Sequence, residues 1–126
     1  MRRLDMKKSY KPHTIENVTE LLSSGKKYED FSTEDWEVYT GGMPLDEKFI
    51  EKFQDEVDWY SISINQKLSE NFIEKLQDKV HWNWIGKYQK LSEEFIREFA
   101  DRVYWYYISW KQTLSEDFRK EFKHKL

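Results

Sequence analysis

From Leu45 onward a unit of 23 residues recurs without insertion, and a constant period of that length obliges the chain to fold as stacked copies rather than around one centre. The copies read LDEKFIEKFQDEVDWYSISINQK, LSENFIEKLQDKVHWNWIGKYQK and LSEEFIREFADRVYWYYISWKQT, with LSEDFRKEFKHKL opening a fourth. Down the register, Leu45, Leu68, Leu91 and Leu114 align, as do Phe49, Phe72, Phe95 and Phe118, and Ile50, Ile73 and Ile96. Phe53, Leu76, Phe99 and Phe122 keep their apolar character, as do Val57, Val80, Val103 and Leu126. Trp59, Trp82 and Trp105, then Ile62, Ile85 and Ile108, complete the set. One copy holds too few apolar side chains to offset the entropy of ordering itself, so contacts between neighbours must supply the remainder.

In the third copy Phe95, Ile96, Phe99 and Val103 fall at i, i+1, i+4 and i+8, a stripe about 100° wide on an α-helix. Ser92 is its N-cap candidate, Glu93 and Glu94 suit the positive end of the helix dipole, and Glu98 with Arg102 makes an i,i+4 pair. Ser69 and Ser115 repeat the cap, with Asp46 substituting in the first copy. The segment Val-x-Trp-x-x-Ile-Ser has good strand propensity, which makes a solenoid of one helix and one short strand per repeat the competing architecture. A strand would point Trp105 and Ile108 to opposite faces, whereas a helix makes them i,i+3 neighbours. The expectation is an all-α solenoid of two-helix repeats. A longer helix is expected near residues 46–56, 69–79 and 92–102, and a shorter one from Trp59, Trp82 and Trp105. The recurrent Asp55, Asp78 and Asp101 then read as caps for the segment that follows.

The 126 residues read as one domain: an N-terminal cap with a degenerate repeat over 1–44, three full repeats over 45–113, and a capping, truncated repeat over 114–126. Arg2, Arg3, Lys7, Lys8 and Lys11 make residues 1–13 a basic arm. From Thr14, Ile15, Val18, Leu21 and Leu22 mark a helix stopped by Gly25. Trp36 lies 23 residues before Trp59 and carries the degenerate repeat; Tyr28 and Phe31 are placed against its layer. Gly41, Gly42 and Pro44 form the turn into the next copy, without the spacing of a phosphate-binding loop. In the last copy Arg119 replaces the recurrent isoleucine.

Twenty-four acidic and 21 basic residues alternate along the helices and leave a net charge of −3, which weighs against nucleic acid as the main partner. Without cysteine there is no thiolate metal site or disulfide framework, and the absence of a long apolar run or a signal-like N-terminus reads as a soluble, cytoplasmic chain. His13, His81 and His124 share no metal-ligand spacing. Glu47, Glu70, Glu93 and Glu116 recur because helix starts favour them, and Gln66, Gln89 and Gln112 recur as groups satisfying backbone at the turn between repeats. No enzyme, cofactor or metal is expected.

Positions that vary between copies are the better candidates for recognition. With Trp and Ile inward, the second helix turns outward the rows Tyr60–Ile64 and Ser61–Asn65, Asn83–Lys87 and Trp84–Tyr88, and Tyr106–Trp110 and Tyr107–Lys111. Tyr60, Trp84, Tyr88, Tyr106, Tyr107 and Trp110 are therefore the candidate partner-binding residues, since tyrosine and tryptophan dominate protein-binding hot spots. Two other readings stay open: that some rings fill gaps between layers, and that they stack on single-stranded bases.

The run LSE-x-FI-x-x-F-x-D-x-V-x-W-x-x-IS-x-x-Q resembles a tandem repeat of uncharacterised bacteriophage, giant-virus and bacterial proteins. That resemblance covers residues 45–126 and carries no catalytic residue or cofactor. It implies a viral protein of the host cytoplasm that occludes a surface of a host defence protein, as anti-CRISPR proteins do. A single-stranded nucleic-acid binder and a structural scaffold are the alternatives.

Overall fold

The computed structural model describes residues 15–126, so the basic arm expected at residues 1–13 lies outside the described residues. Among the described residues the regular elements are nine α-helices and one 3-10 turn, with no strand, which decides between the two solenoid architectures. The chain divides into two compact units, Met1–Asp58 and Trp59–Leu126.

In the first unit α1 (Ile15–Ser23) ends at Gly25, whose φ of 81° lies in the left-handed region that glycine enters without penalty. A 3-10 turn (Tyr28–Asp30) leads to α2 (Thr33–Gly42), whose start is a full capping box: Ser32 Oγ accepts from Asp35 N–H while the Asp35 carboxylate accepts from Ser32 N–H. Burial opposes ionisation of Asp35, but the Lys26 ammonium at 2.8 Å and the Ser32 N–H together hold its carboxyl below the ordinary aspartate value. Tyr28 packs against Phe31, Trp36, Tyr39, Phe49 and Phe53, as its expected place beside the Trp36 layer requires. Burial, with a hydrogen bond to Tyr28, pushes the Tyr39 phenol up. Gly41 and Gly42 are the last residues of α2 rather than part of the turn, since both keep negative φ. After Pro44, α3 (Glu47–Lys52) is capped by Asp46.

The second unit is an all-helical repeat solenoid: α4 (Trp59–Asn65), α5 (Glu70–Lys75), α6 (Trp82–Tyr88), α7 (Glu93–Glu98), α8 (Trp105–Lys111) and α9 (Glu116–Glu121). Ser69, Ser92 and Ser115 cap α5, α7 and α9 through their hydroxyls, as their spacing predicts. Helix α6 packs directly on α4 and on α8, and Ile62, Ile73, Ile85, Ile96 and Ile108 are fully buried. Arg119, which takes the place of the recurrent isoleucine, is exposed.

The first helix of each copy is shorter than its apolar stripe predicts. At Phe53, Leu76 and Phe99 the backbone leaves helical geometry, with φ near −106° and ψ 31°. The bonding in the second copy shows how the turn that follows is closed. In a continuing helix Gln77 C=O would take the N–H of His81; instead His81 N–H goes to Ser63 Oγ at 3.0 Å and Gln77 C=O receives the Trp82 indole N–H at 3.0 Å. Trp105 binds Ala100 C=O likewise, so the recurrent tryptophan caps its own turn while stacking on the next copy, Trp82 on Phe99 and Trp105 on Phe122. The acceptor role expected of Asp78 falls to Ser63, whose Oγ takes the N–H of His81. Asp78 and Asp101 are exposed, and Asp78 accepts from Arg102 instead. Arg102 in turn does not form the expected pair with Glu98: α7 ends at Glu98, and the guanidinium reaches back to Gln77 and Asp78.

Polar side chains lock the copies together. Gln89 accepts from Leu68 N–H at 3.0 Å and donates to Ser63 C=O and Gln66 C=O at 3.0 and 2.7 Å, all buried; Gln112 makes the same three bonds to Leu91 N–H, Gly86 C=O and Gln89 C=O. The backbone-satisfying role predicted for these glutamines is met across the junction between copies, at two carbonyls of the preceding copy and at the N–H of the leucine that opens their own. The recurrent glutamates add a second link that helix-start preference alone does not anticipate, because Glu70 accepts from both N–H and Oγ–H of Ser92, and Glu93 from those of Ser115. On the surface Arg97 grips Glu121 through two nitrogens, which holds the Glu121 carboxyl below its ordinary value.

Two substitutions test this account in equilibrium urea unfolding. Gln89→Leu orphans one buried N–H and two buried carbonyls and should lower stability by roughly 3 to 5 kcal/mol, while the exposed neighbour change Lys90→Ala should stay within about 0.5. Gly86 occupies the register position of Ser63 and offers no hydroxyl to Tyr104. A Cβ there would lie 3.3 Å from Ile108 Cδ1, a tight contact relieved when that side-chain tip gives by a few tenths of an ångström, and at ordinary contact distance, 3.7 Å, from Tyr104 C=O and Tyr107 Cβ. Gly86→Ser should therefore stabilise by about 1 kcal/mol, through the regained hydrogen bond and the removal of a helix-interior glycine.

Candidate functional site

The six variable aromatics converge on one face of α4, α6 and α8. Trp84 meets Tyr60 edge-on at 5.9 Å and Tyr107 at 6.1 Å, and Tyr107 stacks on Trp110 at 6.1 Å with 21° between planes. Tyr88 joins through Trp84, and Tyr106 through Tyr107 and Trp110. The result is a continuous ladder of rings across three copies, in edge-to-face and offset geometries that aromatic quadrupoles favour.

The two expected outward rows are not equally outward. Tyr60, Tyr88, Tyr106 and Trp110 are exposed, from 48% to 63%, whereas Ser61 is buried and Trp84 and Tyr107 are half-buried. In the row Ser61–Asn65, Trp84–Tyr88 and Tyr107–Lys111 the first member of each pair faces the seam between neighbouring helices while Asn65, Tyr88 and Lys111 are exposed, so Trp84 and Tyr107 serve both packing and surface. A seventh ring, Tyr104, is 49% exposed and meets Tyr106 and Tyr107. It escapes the i,i+4 rows because it precedes α8 as its N-cap residue. His81, at the matching position, lies against Tyr60.

Lys87 sits at the centre of the face. Its ammonium is 5.5 Å from the Trp84 ring centre, 5.2 Å from Tyr88 and 5.1 Å from Tyr107, while Lys111 lies 5.0 Å over Trp110. Such contacts are attractive because the ring face carries partial negative charge. The spacing of Lys87 from Trp84, three residues on a helix, is the signal by which the sequence marks this contact. Beyond the rings, a groove of about 450 Å³ runs along the ends of α6 and α8 and the turns after them, lined by Lys87, Tyr88, Lys90, Trp110 and Lys111 among others. A second groove, of about 410 Å³ between α5 and α7, is acidic, with Glu70, Glu74, Glu94 and Glu98 beside Arg97.

Among the described residues no three His, Asp or Glu side chains are grouped as metal ligands, and no helix is long and apolar enough to cross a membrane. The chain matches no family model, no curated protein and no solved structure.

Recurrent and variable rings differ in what they support. Trp105→Ala should cost about 3 to 5 kcal/mol, through lost packing and a carbonyl left without its indole donor. Trp110→Ala should cost under about 1 kcal/mol, with Trp84→Ala and Tyr107→Ala between them. Denaturant titration of the four variants reads the order directly.

Proposed function

We propose that this chain is a non-enzymatic protein-binding repeat module whose partner docks on the aromatic face of α4, α6 and α8. The observation that carries the reading is the ladder itself. Four large rings stand about half or more exposed on rigid helices, where a merely solvated surface would carry charges. Rings already fixed by one another and by Lys87 lose little conformational freedom on binding. The recurrent polar groups that could have suggested chemistry are engaged in holding the fold: Gln89 and Gln112 in the turns, Glu70 and Glu93 on the serine caps.

A rigid face that covers a partner's surface needs no reaction of its own, which is compatible with an inhibitor of a host defence effector acting in the cytoplasm. Support for that narrower assignment comes from the repeat resemblance alone.

The test is site-specific photocrosslinking, with benzoylphenylalanine placed separately at Tyr106, at Trp110 and, as a control on the acidic groove, at Glu74. In a lysate of the native host, light-dependent protein adducts should form at the first two positions and not at the third. Equal adducts at all three, or adducts removed by nuclease, would overturn the reading.

A further inference from the structure

We infer that the partner presents an acidic, extended segment with an apolar or aromatic side chain among its carboxylates, and that this segment lies in the groove at the ends of α6 and α8. The inference rests on the protein-binding reading above and adds the chemistry of what is bound.

Three observations point to that occupant. The first is charge: the chain has more acids than bases, yet Lys87, Lys90 and Lys111 line this groove with no carboxylate among its lining residues. Among the described residues none of the three forms an ion pair, although lysines and arginines elsewhere do. Like-signed groups gathered without counter-charge cost stability and are relieved when opposite charge arrives.

The second concerns the carbonyls at the end of α6. A cation at a helix end ordinarily serves the free carbonyls there, but Gly86 C=O and Gln89 C=O are both bound by the Gln112 amide and need neither Lys87 nor Lys90.

The third concerns the ring faces. Lys87 stands over Trp84, Tyr88 and Tyr107, and Lys111 over Trp110, so the surfaces on which a nucleic-acid base would stack already carry ammonium groups. Those ammoniums are held in place as donors for carboxylates. Tyr88 and Trp110, both exposed, line the same groove of about 450 Å³, which has room for an apolar side chain.

The experiment selects binders to the full chain from a displayed library of random peptides of about a dozen residues. Enriched peptides should be acid-rich with an aromatic or aliphatic residue between the acids. A fluorescein-labelled peptide from that pool should bind the doubly reversed variant Lys90→Glu/Lys111→Glu at least about tenfold more weakly, with the melting temperature unchanged. A neutral or basic pool, or undiminished binding to that variant, overturns the inference. A pool of neutral peptides that depends on Trp110 does so while leaving the protein-binding module standing. Oligodeoxythymidylate is the last arm: if it displaces the peptide and binds more tightly, the groove is a nucleic-acid site and both readings fall.

Discussion

The buried glutamine amide is the contact on which the second unit depends. A turn between two short helices exposes an N–H and several carbonyls, and within a stack these groups are shut off from water by the next layer. Gln89 and Gln112 answer this with one acceptor and two donors each, matching two carbonyls of the copy before and the N–H of the leucine that opens their own copy. Only asparagine offers the same combination without charge, and it is one methylene shorter. The turn and the layer above it are therefore a single object, and helices of six or seven residues, too short to persist alone, become stable parts of it.

Around that lock the remaining recurrent residues divide the work by chemistry. The isoleucines fill the interior, the serines begin helices, the glutamates hold the serines of the following copy, and the tryptophans end one turn while covering the next copy's phenylalanines. Such division leaves the outer side of α4, α6 and α8 free of structural duty at Tyr60, Tyr88, Tyr106 and Trp110. Where the stack asks nothing of a position, its residue can answer to a partner, and that is where the exposed rings and unpaired lysines are found.

Much of this was legible before any coordinates, because caps and stripes are local. Ser69, Ser92 and Ser115 announce helix starts, the i,i+3 relation of Trp105 and Ile108 rules against a strand, and the variable columns locate the aromatic face. What could not be read depends on groups distant in sequence. The turn after Lys75 is closed by Ser63 and Trp82, which take the N–H of His81 and the carbonyl of Gln77 that a continuing helix would have joined. The bonds of Asp78 and Arg102 run between copies, so a reading confined to one helix assigns each the wrong partner. Trp84 and Tyr107 are half-buried because helix seams, unlike helix faces, are invisible to a single periodicity.

The glutamine and glutamate links also have a direction. In every case the side chain of Gln89 or Gln112 reaches back 21 to 26 residues, completing a turn that was made earlier. During synthesis, at about 5 to 20 residues per second, a copy therefore waits roughly 1 to 5 seconds for its successor before its own turn closes. Folding on the ribosome advances as a ratchet, one copy behind the growing chain, and each new glutamine fixes what the previous 23 residues had only sketched.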